Sequence, residues 1–167
     1  VVDNAVDEFI MGVGKRINIS ISPTGFVTVR DFGRGIPLGK VVDCVSTINT
    51  GAKYNTDVFQ FSVGLNGVGT KAVNALSEVF IVTSYREGKF VSATFNDGKL
   101  IDKSEGDTEE KNGTFIEFMP STQMFPGFIF DPAFVEKRLW RYAYLNAGLK
   151  IYYDKKVFYS ANGLLDL

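Results

Sequence analysis

Asp31-Phe32-Gly33-Arg34-Gly35-Ile36-Pro37, read together with Gly64-Leu65-Asn66-Gly67-Val68-Gly69, decides how this 167-residue chain is to be understood. An acidic residue leads a tight glycine turn, and a second glycine-rich loop follows about thirty positions on. A carboxylate next to glycines can read the polar edge of a base, because glycine lets backbone and ligand come close. A glycine loop that opens a helix can hold phosphates on backbone N–H groups. The pairing therefore points to a nucleotide site. The chain has no G-x-x-x-x-G-K-[ST] loop and no G-x-G-x-x-G between strand and helix, so the pattern is neither a P-loop nor a Rossmann fingerprint.

Outward from this core, the elements follow from periodicity. Val2, Val6, Phe9 and Val13 recur at helical spacing and predict an amphipathic helix over 1–12, ended by Gly12 and Gly14. It carries no cap, so the chain reads as starting inside a helix. Ile17, Ile19 and Ile21 alternate with polar residues, Pro23-Thr24-Gly25 turns, and Phe26 to Arg30 returns, which predicts a hairpin. Residues 39–48 read as a short helix, 50–63 as a lid loop, and 68–76 as a helix that starts on the glycine loop. Strands are expected at about 79–86, 89–96, 98–102 and 114–119, with 103–113 as an exposed charged loop. Asp131-Pro132 begins a helix in the cap-then-proline pattern, Gly148 stops it, and a last hairpin covers about 149–159. There is no repeat and no internal linker. The expectation is one domain over 1–167, an α+β two-layer sandwich with helices on one face of a mixed, mainly antiparallel sheet.

Composition bounds the chemistry. Hydrophobic content is 45% and aromatic content 14%, mostly Phe, which suits a sizeable core. A net charge of −1 argues against gripping nucleic acid by bulk positive charge. No apolar run approaches the ~20 residues of a membrane span. Cys44 is the only cysteine, so there is no internal disulfide, in keeping with the cytoplasm; it reads as a small hydrophobe rather than a nucleophile. With no His, imidazole catalysis and His metal sites are excluded.

The candidate residues each carry two readings. Asn4 and Glu8 lie one turn apart on the first helix. Their functional reading uses the Asn amide oxygen as a hard-cation ligand, and the plain reading leaves both as solvated surface groups. Asp31 continues the face of Val27 and Val29, where a carboxylate is costly without a partner. It either caps the turn or accepts a hydrogen bond from the exocyclic amine of a base. Arg34 is a surface charge or a partner for Glu8. Thr114 shares a strand face with Ile116 and Phe118, a hydroxyl on an apolar wall suited to a base pocket. Lys53, within Thr50-Gly51-Ala52-Lys53-Tyr54, can reach phosphates from the lid, although a lone loop lysine is usually solvated.

Five blocks occur in a familiar order: Asp3-Asn4…Asp7-Glu8, Asp31-x-Gly33-Arg34-Gly35-Ile36-Pro37, Thr50 to Tyr54, Gly64 to Gly69, and Asn112-Gly113-Thr114. In this the chain resembles, over nearly all its length, the N-terminal ATPase domain of bacterial type II topoisomerases, as found in gyrase B and topoisomerase IV B. These belong to the GHKL superfamily with its Bergerat fold. The wording of 64–71 and 7–12 leans to the topoisomerase IV type. The resemblance implies ATP and Mg2+ as cofactors and ATP-driven passage of one DNA duplex through another. It implies an A-type partner in a heterotetramer, ATP-dependent homodimerisation and coumarin-type inhibitors. By the same resemblance Asn4 would hold Mg2+, and Asp31 with Thr114 would read the adenine amine. Gly35, Ile36 and Pro37 would floor the base site, with Glu8 and Arg34 as an ion pair at its mouth. Arg86 would be the mouth arginine that packs on coumarins. Lys53, Gly64, Leu65, Asn66, Gly67, Val68 and Gly69 would contact the triphosphate.

Departures from the family pattern bound these expectations. The family's catalytic glutamate stands four positions before the Mg2+-binding Asn, which falls one residue before Val1, so residues 1–167 supply no general base and the chain is expected to bind without efficient turnover. Asn66 stands where His is frequent, which removes an imidazole but keeps a hydrogen-bonding side chain, so phosphate binding is expected to survive; Phe32 stands where Asp or Asn is frequent, with only a local packing effect expected. The transducer lysine that contacts the γ-phosphate and the dimerising N-terminal arm are likewise not among these residues. The alternatives are a MutL-like or other GHKL ATPase, or a non-catalytic nucleotide-binding module.

Overall fold

A computed structural model describes residues 1–46 and 68–167. The lid expected at 50–63, with Lys53, and Gly64, Leu65, Asn66 and Gly67 lie outside the described residues.

The alternating isoleucines form β1 (Arg16–Ile21), and a tight turn leads into β2 (Val27–Asp31). In the turn, Ser22 Oγ accepts the Phe26 N–H at 3.0 Å, and Gly25 takes a φ of 91°, which only glycine adopts freely. Asp31 is thus the last residue of a strand, paired with Ile17. The other strands are β3 (Ser77–Arg86), β4 (Lys89–Asn96), β5 (Lys99–Asp107), β6 (Gly113–Pro120), β7 (Lys150–Tyr153) and β8 (Lys156–Phe158). Together they make one sheet in the order β5-β4-β3-β6-β2-β1-β7-β8. Every pairing is antiparallel except β1 with β7.

Four α-helices among the described residues cover one face of this sheet: α1 (Val2–Ile10), α2 (Val41–Ser46), α3 (Val68–Ala75) and α4 (Pro132–Leu145). Val29, Ile116 and Val82 are ladder neighbours on the covered face and mark it across three strands. Two apolar clusters sit beneath the helices. Under α1 and α4, Ala5, Val6, Leu139 and Ala143 pack on Ile17, Ile19, Val27, Val29 and Ile151. Under α2, Val41 and Val45 pack on Phe80, Val82, Ala93, Phe95 and Ile116. Phe118 touches both. Asp131 caps α4 as its sequence predicts, its Oδ1 accepting the Ala133 N–H at 3.0 Å behind Pro132. The Tyr142 hydroxyl donates to Asp3 and ties α4 to α1; burial and this bond push the phenol up to about 12.

The expected α+β layout is therefore observed, with small shifts of boundary. The helix expected over 39–48 is a 3-10 turn (Leu38–Lys40) running into α2. One expectation fails. Residues 103–113 are not a loop throughout, because β5 runs on to Asp107, with Ser92↔Ser104 and Lys89↔Asp107 in register. All nine residues of β5 are exposed. An edge strand pairs through its backbone and needs no apolar face, so a charged segment qualifies. Charged side chains at an edge also discourage pairing with other chains. Amide hydrogen exchange checks this: alternate amides over 103–107 should be protected, and uniformly fast exchange would restore the loop reading.

Candidate functional site

The segment 31–37 crosses from one apolar cluster to the other. Val29 of β2 lies in the first, while Ile36 and Leu38 pack against the second. Asp31 stands at this seam, 8% exposed. Its Oδ1 accepts two backbone N–H groups, from Gly33 at 3.0 Å and from Thr114 at 3.1 Å. Among the described residues no hydrogen bond goes to Oδ2. Behind the carboxylate, Ala5, Phe9, Val13, Ile17 and Leu149 close the space so tightly that no water fits. Burial pushes the carboxyl up to about 6, although the Gly33 and Thr114 N–H groups pull the other way. Because Oδ1 is already an acceptor twice over, a proton on Asp31 belongs on Oδ2.

Each following residue of the run is pinned. The Arg34 N–H donates to Glu8 Oε2 at 2.9 Å, and the Arg34 guanidinium grips both Glu8 oxygens, Nε to Oε2 at 3.1 Å and Nη2 to Oε1 at 2.9 Å. This forked pair joins α1 to the loop. Burial works against the Glu8 charge, but the Arg34 hydrogen bonds and charge outweigh it and hold the carboxyl below its ordinary range. Gly33 passes directly under Glu8, and a Cβ there would meet the Glu8 side chain at 2.5–2.6 Å. Gly35, at φ 77°, passes under β3, where a Cβ would meet the Tyr85 carbonyl at 2.7 Å. The Ile36 carbonyl accepts from the fully buried Ser84 hydroxyl at 2.6 Å, and the Gly35 carbonyl lies 3.4 Å from Arg86 Nη1.

A second group forms one turn earlier on α1. Asn4 Nδ2 donates to Thr70 Oγ1 at 2.5 Å, at the start of α3, next to Val68 and Gly69. Asn4 and Glu8 are four residues apart, about 6 Å along the helix axis, so α1 presents one of them to each group. Among the described residues Asn4 Oδ1 accepts no hydrogen bond. No cluster of three or more His, Cys, Asp or Glu side chains that could hold a metal exists among the described residues. Cys44 is half-buried and burial pushes its thiol up, which suits a packing role.

No protein-family model matches the chain. Over 166 residues it is 53% identical to the B subunit of DNA topoisomerase 4 from Borreliella burgdorferi, covering 99% of this chain and 28% of that protein. It is 37% identical over 167 residues to the B subunit of DNA gyrase from Thermotoga maritima, covering 94% of this chain and 26% of the relative. The chain thus spans about a quarter of the length of these relatives. It also superposes on the crystal structure of the 43K ATPase domain of Thermus thermophilus gyrase B in complex with an aminocoumarin. There the TM-score is 0.83 at 31% identity, over 99% of this chain and 45% of the other. The chain belongs to the gyrase B and topoisomerase IV B family.

Within this gyrase B-type domain, the fold brings together Glu8, Asp31, Arg34, Gly35, Ile36, Arg86 and Thr114, and sets Asn4 beside α3. Pro37 continues the run, its carbonyl accepting the Lys40 N–H at 2.8 Å. Thr114 reaches Asp31 through its backbone N–H rather than through the hydroxyl that the sequence drew attention to. Sequence reasoning passed over Ser84 and Arg30. For Arg30 a signal existed: an arginine ends the apolar Val27-Thr28-Val29 run and stands one residue before Asp31.

The raised Asp31 pKa has a sign. A carboxyl whose folded value lies above its ordinary 3.8 contributes stability below 3.8 and loses it as pH rises through about 6. Asp31→Asn removes that loss. The variant should be more stable than the parent at pH 8 by on the order of 2–3 kcal/mol, with the gap closing toward pH 4. Urea unfolding at several pH values measures it, and a gap that does not change with pH would contradict the burial account.

Proposed function

We propose that this chain is the ATP-binding domain of the B-type component of a bacterial type II DNA topoisomerase, in which nucleotide binding drives DNA strand passage. The observation that carries the reading is the Asp31 carboxylate, with one oxygen saturated by two backbone N–H groups and the other left for an incoming donor. That oxygen keeps some contact with solvent, since Asn74 Oδ1 is the one fully buried side-chain acceptor without a partner among the described residues, so a base amine can reach it and replace water there. Family membership supplies the rest: gyrase B and topoisomerase IV B are the relatives over nearly the whole chain.

In this reading Asp31, with the Thr114 segment beside it, accepts the adenine amine. Gly35, Ile36 and Pro37 floor the base, and the Glu8–Arg34 pair and Arg86 line the mouth. Arg86 is also the residue that a coumarin-type inhibitor would pack against. The start of α3, with Val68 and Gly69, faces the phosphates through its N-terminal backbone N–H groups. Lys53, Gly64, Leu65, Asn66 and Gly67 are assigned there by family position alone. Asn4 fits a divalent ion on the chemistry of its uncommitted amide oxygen, and the phosphates of the nucleotide would supply further oxygen ligands. Mg2+, when bound, neutralises phosphate charge and orients the γ-phosphate. DNA, the A-type partner, dimerisation on ATP and a cytoplasmic location belong to the same proposal for the full-length protein. So does turnover, since no residue from 1 to 167 is assigned as general base.

Calorimetric titration with a non-hydrolysable ATP analogue plus Mg2+, and separately with a coumarin, tests this. Asp31→Asn should weaken both ligands by ~10–100-fold, the worth of a hydrogen bond to a charged group. Asn4→Ala should remove the Mg2+-dependent part of analogue binding and leave the coumarin unaffected. Unchanged affinity of Asp31→Asn for both ligands would overturn the site.

A further inference from the structure

We propose that Arg30 is a positioning residue for the base-reading site, its guanidinium tying the strand end that carries Asp31 to the β5–β6 connection that delivers the Thr114 N–H. The inference rests on the reading of Asp31 as the acceptor for a ligand amine. Arg30 precedes Asp31 on β2, so its side chain leaves by the opposite sheet face. Its side chain is only 10% exposed. The fork spans two segments: Nη1 donates to the Asp31 carbonyl, and Nη2 donates to the Lys111 carbonyl at 2.6 Å. Two rings hold the guanidinium in plane, Phe32 with its centroid 4.4 Å from Cζ and Tyr85 at 4.7 Å. Glu110 lies at ion-pair distance, 3.9 Å from Nη2, and is mostly exposed.

The connection is threaded along this group. Gly113, between Lys111 and Thr114, has a φ of 143°, and a Cβ on it would run into the Asp31 carbonyl and the Arg30 guanidinium. Asn112 is anchored separately, its Oδ1 accepting the Glu87 N–H at 2.9 Å. Thr114 then arrives at Asp31 Oδ1. Burying a cation is unfavourable, and a hydrophobic side chain would fill the same place. What only Arg supplies is a rigid fork that meets two carbonyls at once while stacking on two rings. Phe32, which the sequence suggested as a matter of local packing, is one of those rings.

The test is nucleotide-analogue titration across pH on Arg30→Gln, Arg30→Lys, Phe32→Leu and Asp31→Asn, with circular dichroism to confirm folding. The charged groups facing Asp31 are Glu8 from α1 and Arg30 from β2, while β6 offers only the Thr114 N–H. Arg30→Gln should weaken binding ~10-fold and move the pH midpoint of binding upward, because Asp31 loses its cationic neighbour. Arg30→Lys keeps the charge without the fork, so affinity should fall while the midpoint stays near the parent's. Phe32→Leu should lose affinity in the same direction by less, and serves if Arg30→Gln fails to fold. Parent-like affinity and midpoint in the Arg30 and Phe32 variants, with binding lost in Asp31→Asn, would overturn the role of Arg30 alone. Parent-like binding in Asp31→Asn would overturn the site reading and this proposal with it.

Discussion

The two backbone N–H groups that meet on Asp31 Oδ1 come from opposite directions, Gly33 just ahead in the chain and Thr114 more than eighty residues away. That meeting point constrains much of the domain. It requires β2 to end at Asp31, β6 to lie beside β2, and the 33–37 run to turn sharply under α1 and then under β3. Two glycines serve those passages. Gly33 yields to the Glu8 side chain, and Gly35 yields to the Tyr85 carbonyl. Once Oδ1 is committed in this way, the other oxygen is the group's only outlet, and its environment is set by burial rather than by a partner.

The layered architecture explains why a carboxylate can be kept there. Two apolar clusters, one under α1 and α4 and one under α2, give the sheet a continuous dry face with a seam between them. The seam is where polar side chains collect: Asp31, Ser84 and the Glu8–Arg34 pair. Helix α1 spans both halves of the candidate site, Glu8 reaching the base end and Asn4 meeting Thr70 of α3. A site of this kind works against stability at neutral pH, as expected where a buried group is kept ready for a ligand rather than for folding. Glu8 behaves oppositely. Arg34 holds its carboxyl below the ordinary range, so its contribution is present above that range and is lost only as pH falls.

Much of this was legible in the chain, and what was not has physical reasons. The Ile17-Ile19-Ile21 alternation, the Asp131-Pro132 cap and the helical spacing of Val2, Val6 and Phe9 are local signals, and the elements they predict are present. Asp31 stood out because it continues an apolar face. The Glu8–Arg34 pair remained one of two readings, since nothing local says which way a surface arginine folds back. The strand at 103–107 was hidden because an exposed edge leaves no hydrophobic period. Arg30 offered a signal as a charge at the end of the Val27-Thr28-Val29 run, but its role was not legible, because its hydrogen-bond partners are backbone carbonyls, one of them 81 residues away, and carbonyls have no sequence signature. Thr114 was found for its hydroxyl, whereas its amide makes the bond.

Asp31 is a buried carboxyl whose open oxygen waits for a donor. The direct measurement is an NMR titration of the Asp31 side-chain carbonyl carbon, in the free protein and with a non-hydrolysable ATP analogue bound. The carboxyl should titrate near the raised value of about 6 in the free protein and fall markedly on binding, because a donated hydrogen bond favours the carboxylate. An ordinary carboxylate value that does not move when the analogue binds would contradict it.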